Sequence, residues 1–527
     1  MAPNLKNKED SVFLRRKITL LRCVSMVIGT IVGSGIFISP KGVLQNTGNV
    51  GLSLFIWLAC GILSMLGALC YAELGTCITK SGGHYIYLLE TLGPLPAFLY
   101  LWAEFIAVGP ANYAVLSLAF GRYILEPFFT PCTAPILAVK LASLFGLCLV
   151  TALNSWSVSW SAKLQTFLSV IKLIALALVI VPGIMLLTQG QTENFQGAFD
   201  GTVSLDRLSL TFYPGMFAYS GWFQVNFLRE EVVNPERNIP LAVIISMVTV
   251  ILGYLLTNIS YYTVLTPESV LASEAVAVSF ADQAFKGLVV VIPILVSLSC
   301  LGTLNAGNIG LSRTLFVASR EGQWPLIFSM INIYRNTPLP AVILLTLTEA
   351  DFQLYQLRDP LPFPQSSCGQ LPAHTCPATQ RANASCLPSE PHEQPVYSFP
   401  MVAILVSIGD IFYLLNFFGF SRWLFIGLAS LGLIIHRHRH PEIPRPFKVP
   451  LFVPLSFTTI CFFTVMISVY SAPDSVGLGC LIILTGLPVY YLVVKRTKSI
   501  CCKLLFNHVT LKLQILLQAV PQEICTY

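Results

Sequence analysis

The chain has 527 residues, 55% hydrophobic and only 11% charged, with a net charge of +6. Soluble domains carry roughly 25% charged residues, so the composition excludes an ordinary water-solvated domain. The positive balance is spread over loops, which makes it a determinant of membrane topology and not of nucleic-acid binding.

The polar segment 1–18 leads directly into the first apolar run with no cleavable leader in evidence, and reads as a cytosolic tail. Crossing the hydrocarbon core takes about 20 apolar residues, and runs of that length recur along the chain. The predicted fold is an all-α polytopic membrane protein with about twelve spans in a transporter domain over 19–498. Spans are predicted at about 20–44, 50–71, 95–124, 136–153, 164–187, 208–228, 239–264 and 287–318. A damaged ninth comes next, then spans at 411–435, 449–470 and 476–494. One set of alternate loops collects Lys6, Lys8, Arg15, Arg16, Lys17, Lys80, Lys163, Arg229, Arg237, Arg320 and a further cluster from Arg437 to Lys498. The positive-inside rule places that set, and both termini, in the cytosol.

The first span contains IGTIVGSGIF, Ile28–Phe37, where Gly29, Gly33, Ser34 and Gly35 interrupt a run that should be continuous. Irregular backbone survives at membrane depth only where it is buried in protein or lines a cavity. A break there frees amides and carbonyls as ligands, and the second half-helix points its positive end at an anion such as a carboxylate. Gly29 and Gly33 are also a small-xxx-small packing pair, and this segment alone leaves both readings open. The short outer loop after the third span holds Cys132, an exposed cysteine facing an oxidising compartment, which suggests an intermolecular disulfide or else a free thiol. The remaining fourteen of the fifteen cysteines are mostly lone and scattered within spans, as buried small apolar residues are. Lys172 lies in the middle of the fifth span; a lysine there costs about 3 kcal/mol on insertion scales, so it needs a partner or a function, or must snorkel.

The sixth span carries a second interruption, GMFAYSGWF, at Gly215–Phe223. Paired interruptions at corresponding positions of two five-span halves point to a transporter site. They predict an inverted repeat over about 19–188 and 208–436, with two last spans at 449–494. The repeat rests on segment order, since the halves share no visible residue-level similarity. The ninth span starts at Leu339 but its apolar run stops at Thr348, and a polar insertion occupies 349–399 with Cys368, Cys376 and Cys386. Such a segment cannot sit in hydrocarbon, and it reads as a sequence artefact such as translated intron. The alternative is an outer loop with a glycan at the Asn383 sequon. Arg422 lies just inside the tenth span, and arginine recognises carboxylates bidentately. HRHRHPEIPRP from His436 alternates histidine with arginine and reads as a basic inner loop, not a metal site. The segment 499–527 reads as a cytosolic tail containing an amphipathic helix, with Cys501 and Cys502 at its start.

IGTIVGSGIFISPKGVLQNTG, YAELGTCITKSGGHY, LAFGRYILEPFF, NSWSVSWSAKLQ, NPERNIPLA, VASREGQWP, SRWLFIGL and RPFKVPLFVP together resemble the light subunits of heteromeric amino-acid transporters, nearest the cystine/glutamate antiporter branch, over about residues 12–520. The resemblance implies a LeuT-like fold with broken helices one and six. It implies a sodium-independent antiporter of the plasma membrane, exchanging anionic cystine for glutamate by alternating access. The substrate's α-amino and α-carboxylate groups would bind Ile31, Gly33, Ser34 and Gly35 with Phe217, Ala218, Ser220 and Gly221, and Phe217 would gate the site. Lys172 would stand in for a sodium ion, Arg422 would bind the side-chain carboxylate, and Cys132 would link to a single-span type II glycoprotein heavy subunit. One departure is Gly109, where the branch has an arginine. Arg122 is about 20 Å along the helix and cannot replace it, so exchange of aspartate, glutamate or neutral amino acids remains open. Tyr219 reads as core packing. No cofactor or metal is predicted, and no catalytic motif of an enzyme and no filter of a channel is present. A non-transporting amino-acid sensor or scaffold is the reading of another class.

Overall fold

A computed structural model describes residues 16–33, 35–129, 134–199, 205–273, 276–284, 290–358, 411–471, 473–495 and 510–521. Apart from one short strand pair, its regular elements are helices. Seven of the described helices are long and apolar enough to cross a membrane, and shorter apolar helices lie at Leu20–Ile31, Pro94–Val108, Leu339–Thr348 and Val476–Leu492.

The first predicted span is two helices, α1 (Leu20–Ile31) and α2 (Gly35–Thr47). The next is α3 (Val50–Cys77), whose N-cap Asn49 accepts the Leu52 amide hydrogen at 2.8 Å, satisfying an amide that the first helical turn leaves open. A short helix α4 (His84–Leu92), which the hydropathy did not separate, precedes α5 (Pro94–Ala103). A π-turn over Glu104–Val108 joins α5 to α6 (Gly109–Phe129), so the third span is interrupted too. Then come α7 (Ile136–Trp156), α8 (Val158–Thr188) and α9 (Leu205–Ala218). The sixth span stops at Ala218, and a 3-10 segment runs over Gln224–Glu231. The second half continues with α10 (Pro235–Val264), the short α11 (Pro267–Ala272) and α12 (Val276–Ala284), and α13 (Val291–Arg320). Last are α14 (Leu339–Arg358), α15 (Ile411–Arg439), α16 (Phe452–Ser471) and α17 (Pro473–Val489).

The packing places both breaks at the centre. α1 lies against α8, α10 and α13, while α2 packs on α9. α14 stays helical past Thr348 to Arg358, so the backbone does not end where the apolar run does. The rest of the insertion, with Asn383, Cys368, Cys376 and Cys386, lies outside the described residues. In the C-terminal tail a helix over 510–517 sets Leu513 and Leu517 against Ile327 and Met330. Beyond it is β2 (Ala519–Pro521), antiparallel to β1 (Met330–Asn332) with Ile331 opposite Val520. The N-terminal side is tied to the same half of the molecule: Lys17 and Ile18 donate their amides to the Glu231 carbonyl at 2.9 and 3.0 Å.

Candidate functional site

The two breaks abut. A Cβ on Gly35 would meet the Ala218 Cα at 2.8 Å, and one on Gly221 would meet the Thr30 side chain at 2.7 Å. Gly221 also has φ +115°, a backbone conformation that a side chain disfavours. The sixth span can therefore turn here, and come this close to the first, only with glycine at this position. Gly215, expected from the sequence to belong to the break, stays inside α9.

Breaking a helix leaves carbonyls without amide partners, and buried ones must find others. Side chains from three other spans supply them. Lys172 donates to the Gly29 carbonyl at 2.5 Å and to the Thr303 hydroxyl at 2.9 Å. Ser299 donates to the Val32 carbonyl at 3.2 Å. The Tyr254 hydroxyl lies 2.9 Å from the Ile31 carbonyl and 3.2 Å from that of Ala218, bridging the two breaks. Lys172 is fully buried and lies behind the first break, outside the cavity.

In front of the breaks is a cavity. Ile31, Gly33, Gly35, Phe217, Ala218, Ser220, Gly221 and Arg422 all line it. Phe217 is 42% exposed although it sits at the centre of the chain's packing, as a side chain projecting into an open space would be. Arg422 donates Nη1 to the Ser220 hydroxyl at 3.1 Å, and its guanidinium carbon is 6.0 Å from the centre of the Phe223 ring. The wall also includes His84, Tyr100, Glu104 and Asn112, which sequence reasoning did not select. His84 Nδ1 is 2.5 Å from the Tyr71 hydroxyl. Glu104 carried a signal that went unread: an acid within an apolar span. His84, Tyr100 and Tyr254 carried none, because aromatic residues are ordinary in membrane helices.

Other predicted residues fall elsewhere. Ser34 and Cys132 lie outside the described residues. Tyr219 is fully buried, with ring centroids 6.0 Å from Trp57 and 4.9 Å from Tyr254, and is not on the cavity wall. Gly109 is not on the wall either, although Val108 and Asn112 are. A Cβ on Gly109 would meet the Glu104 carbonyl oxygen at 2.8 Å and Leu311 at 3.2 Å. The extra residue in the π-turn rotates α6 by about 100° relative to a straight continuation of α5. Any side chain at this position must therefore displace the Glu104 carbonyl or Leu311 at its first carbon. Arg122 is exposed near the other end of α6.

Beyond the cavity, on the side that holds the N-terminal segment, lies a cluster of buried ion pairs. Arg313 Nε is 2.7 Å from Glu231 Oε1, both side chains 2% exposed, and Arg320 Nη2 is 2.8 Å from Glu230 Oε1. Arg229 donates to the Gly75 and Thr79 carbonyls at 2.6 and 2.9 Å. Glu73 pairs with Arg437 and accepts the Val449 amide hydrogen at 2.9 Å. At the rim Lys80 contacts Glu90 at 3.0 Å and Glu321 at 2.9 Å. No cluster of three or more metal-ligating side chains occurs among the described residues.

Residues 18–494 match the family described as amino acid permease. The sequence is 49% identical over 527 residues to the cystine/glutamate transporter of Homo sapiens, covering 99% of this chain and 95% of that protein. It is 38% identical over 512 residues to the human b(0,+)-type amino acid transporter 1, covering 97% and 94%. It is 36% identical over 497 residues to the Asc-type amino acid transporter 1 of Mus musculus, covering 93% and 84%. Among solved structures, MhsT in complex with L-phenylalanine superposes with a TM-score of 0.56 at 13% identity, over 87% of this chain and 99% of that one; that likeness concerns the fold alone.

Proposed function

Because the chain belongs to the amino acid permease family, and is a membrane transporter and not an enzyme, we propose that it is the transporting light subunit of a heteromeric amino-acid exchanger, trading cystine for glutamate across the plasma membrane. The observation that carries the reading is the meeting of two broken helices, Gly35 against Ala218, at a cavity that also holds one guanidinium. The amide end of α2 suits the substrate's α-carboxylate, the carbonyl end of α9 suits its α-ammonium, and Arg422 suits a distal carboxylate. Lys172 holds the first break by a fixed charge at the Gly29 carbonyl. That supports transport without sodium, since a mobile cation is not needed to neutralise the carbonyls. Alternating access then requires the buried ion pairs near the N-terminal segment to separate while the cavity closes on its other side.

Counterflow tests the exchange. Vesicles holding the full chain and preloaded with unlabelled glutamate should take up labelled cystine several-fold faster than empty vesicles; equal rates would instead favour a sensor or scaffold that binds without turnover. A competition panel including aspartate and leucine ranks the alternatives raised by Gly109. The partner reading predicts a reducible high-mass band on a non-reducing gel that Cys132→Ser removes; a band that persists in the variant refutes the link. Both termini on the cytosolic side are expected from the loop charges.

A further inference from the structure

The C-terminal segment returns to the body of the protein with apolar side chains on both of its faces. The helix over 510–517 turns Leu513 and Leu517 onto Ile327 and Met330, and β2 fixes it by pairing with β1. Asn332 Nδ2 donates to the Leu517 carbonyl at 2.9 Å, and the Ile333 amide donates to that of Gln518 at 3.0 Å. The helix is thus held in one rotation. Its other face carries Leu511, Ile515 and Leu516, which are 56%, 72% and 75% exposed. Leaving three large aliphatic side chains in water forgoes the gain that their burial brings, and apolar surface of this kind marks a protein or membrane contact.

The surroundings of β1 decide between the two. Past β1 the chain runs through Ile333, Tyr334 and Arg335 to Thr337, whose hydroxyl donates to the Ser155 carbonyl at 3.2 Å. The Arg335 guanidinium carbon is 3.9 Å from the centre of the Trp156 ring, and Lys163 Nζ is 5.0 Å from that of Trp160. Both tryptophans are more than half exposed at the corner where α7 ends and α8 begins, two helices each long and apolar enough to cross a membrane. Tryptophan at such an end marks the boundary between hydrocarbon and water. Only Ile333 and Tyr334 separate Arg335 from β1, so the tail sits within a few residues' reach of that boundary. The charge agrees: segments 153–166, 326–338 and 510–521 hold Lys163, Arg335 and Lys512 and no acidic residue. Basic side chains beside apolar ones at this level complement an anionic leaflet.

We infer that the outward face of the C-terminal helix and the α7–α8 corner form one docking surface for the anionic headgroup layer of the inner leaflet. Leu511, Ile515 and Leu516 enter the layer between headgroups and acyl chains, while Lys512, Arg335 and Lys163 meet lipid phosphates. The helix is then clamped by protein on one face and by lipid on the other. Because β1 connects α13 to α14, lipid held by the tail bears on the junction of those two spans. The assignment takes this side of the molecule as the cytosolic one, from loop charge, and is independent of what the cavity carries.

Hydrogen exchange of the 510–521 amides, followed by mass spectrometry, tests it. The full chain is placed in nanodiscs of phosphatidylcholine alone and of phosphatidylcholine mixed with phosphatidylserine. A lysine near an anionic surface is worth about fivefold in affinity, so the tail should exchange about fivefold more slowly in the anionic membrane. Lys512→Gln should remove that difference. Ile515→Gln combined with Leu516→Gln keeps helix propensity and leaves Leu513 and Leu517 in place. It should speed exchange about tenfold or more in both membranes, because the apolar contact with lipid is lost. A helix whose outer face lies in water would lose little by that change, as surface substitutions do. Equal exchange of wild type in the two membranes, or unchanged exchange in the double variant, overturns the assignment. Protection that appears only when a cytosolic extract is added also overturns it, and gives the face to a protein.

Discussion

Two groups of buried charge sit along one bundle, and they differ in how they are satisfied. Near the N-terminal segment Glu231 faces Arg313, Glu230 faces Arg320 and Glu73 faces Arg437, each carboxylate within bonding distance of a guanidinium. In the cavity Glu104 and Arg422 share a wall without contact. Paired charge closes space, since the partners exclude anything that would come between them. Separated charge keeps space open for a ligand carrying the complementary groups. On the proposed reading, the difference separates a part of the protein that seals from a part that binds.

The largest effect expected comes from breaking the seal. Glu231→Ala leaves the Arg313 guanidinium buried without a counter-charge, and removal of one partner of a buried pair costs about 3–5 kcal/mol. A thermal melt of the purified chain should show a large drop in midpoint, with partial recovery in the double variant Glu231→Ala, Arg313→Leu. A midpoint unmoved by Glu231→Ala would erase the contrast. Next is Gly109→Arg, the substitution that on sequence alone restores a second cation to the cavity. Its Cβ must push aside the Glu104 carbonyl 2.8 Å away, and overpacking of this kind costs about 1–3 kcal/mol. Loss of stability without any gain in glutamate affinity is the expected result. Improved glutamate uptake at unchanged stability would show that the π-turn yields easily. The smallest effect on the fold belongs to Arg422→Ala, which removes a group that nothing else in the described structure pairs as a charge. Its melting midpoint should stay within a few degrees of wild type, while discrimination for a distal carboxylate falls about tenfold, the worth of one charged hydrogen bond. Full discrimination after that change would place the recognition elsewhere.

Much of the site was visible in the residues. Gly33, Gly35 and Gly221 signalled broken helices because glycine at membrane depth needs a reason, and the resemblance carried Phe217 and Arg422 to positions that do line the cavity. Lys172 was legible as a buried charge in need of a partner, although the partner itself, the Gly29 carbonyl, lies 143 positions away. Glu104 was legible on the same ground, an acid in an apolar span, yet it was passed over for Gly109 a few residues on. Tyr254 could not have been chosen: it is one tyrosine among nineteen, and its role depends on Ile31 and Ala218 meeting at its hydroxyl.

The sequence alone settled that the chain is a membrane bundle with two interrupted spans, because hydropathy and glycine placement are local properties that lipid enforces residue by residue. Which side chains complete the breaks, which face of the third span meets the cavity, and which buried charges touch were decided only in three dimensions. Those outcomes depend on helix rotation and on contacts between residues far apart in the chain, and a single extra residue in the Glu104–Val108 turn is enough to turn one face away and bring another in.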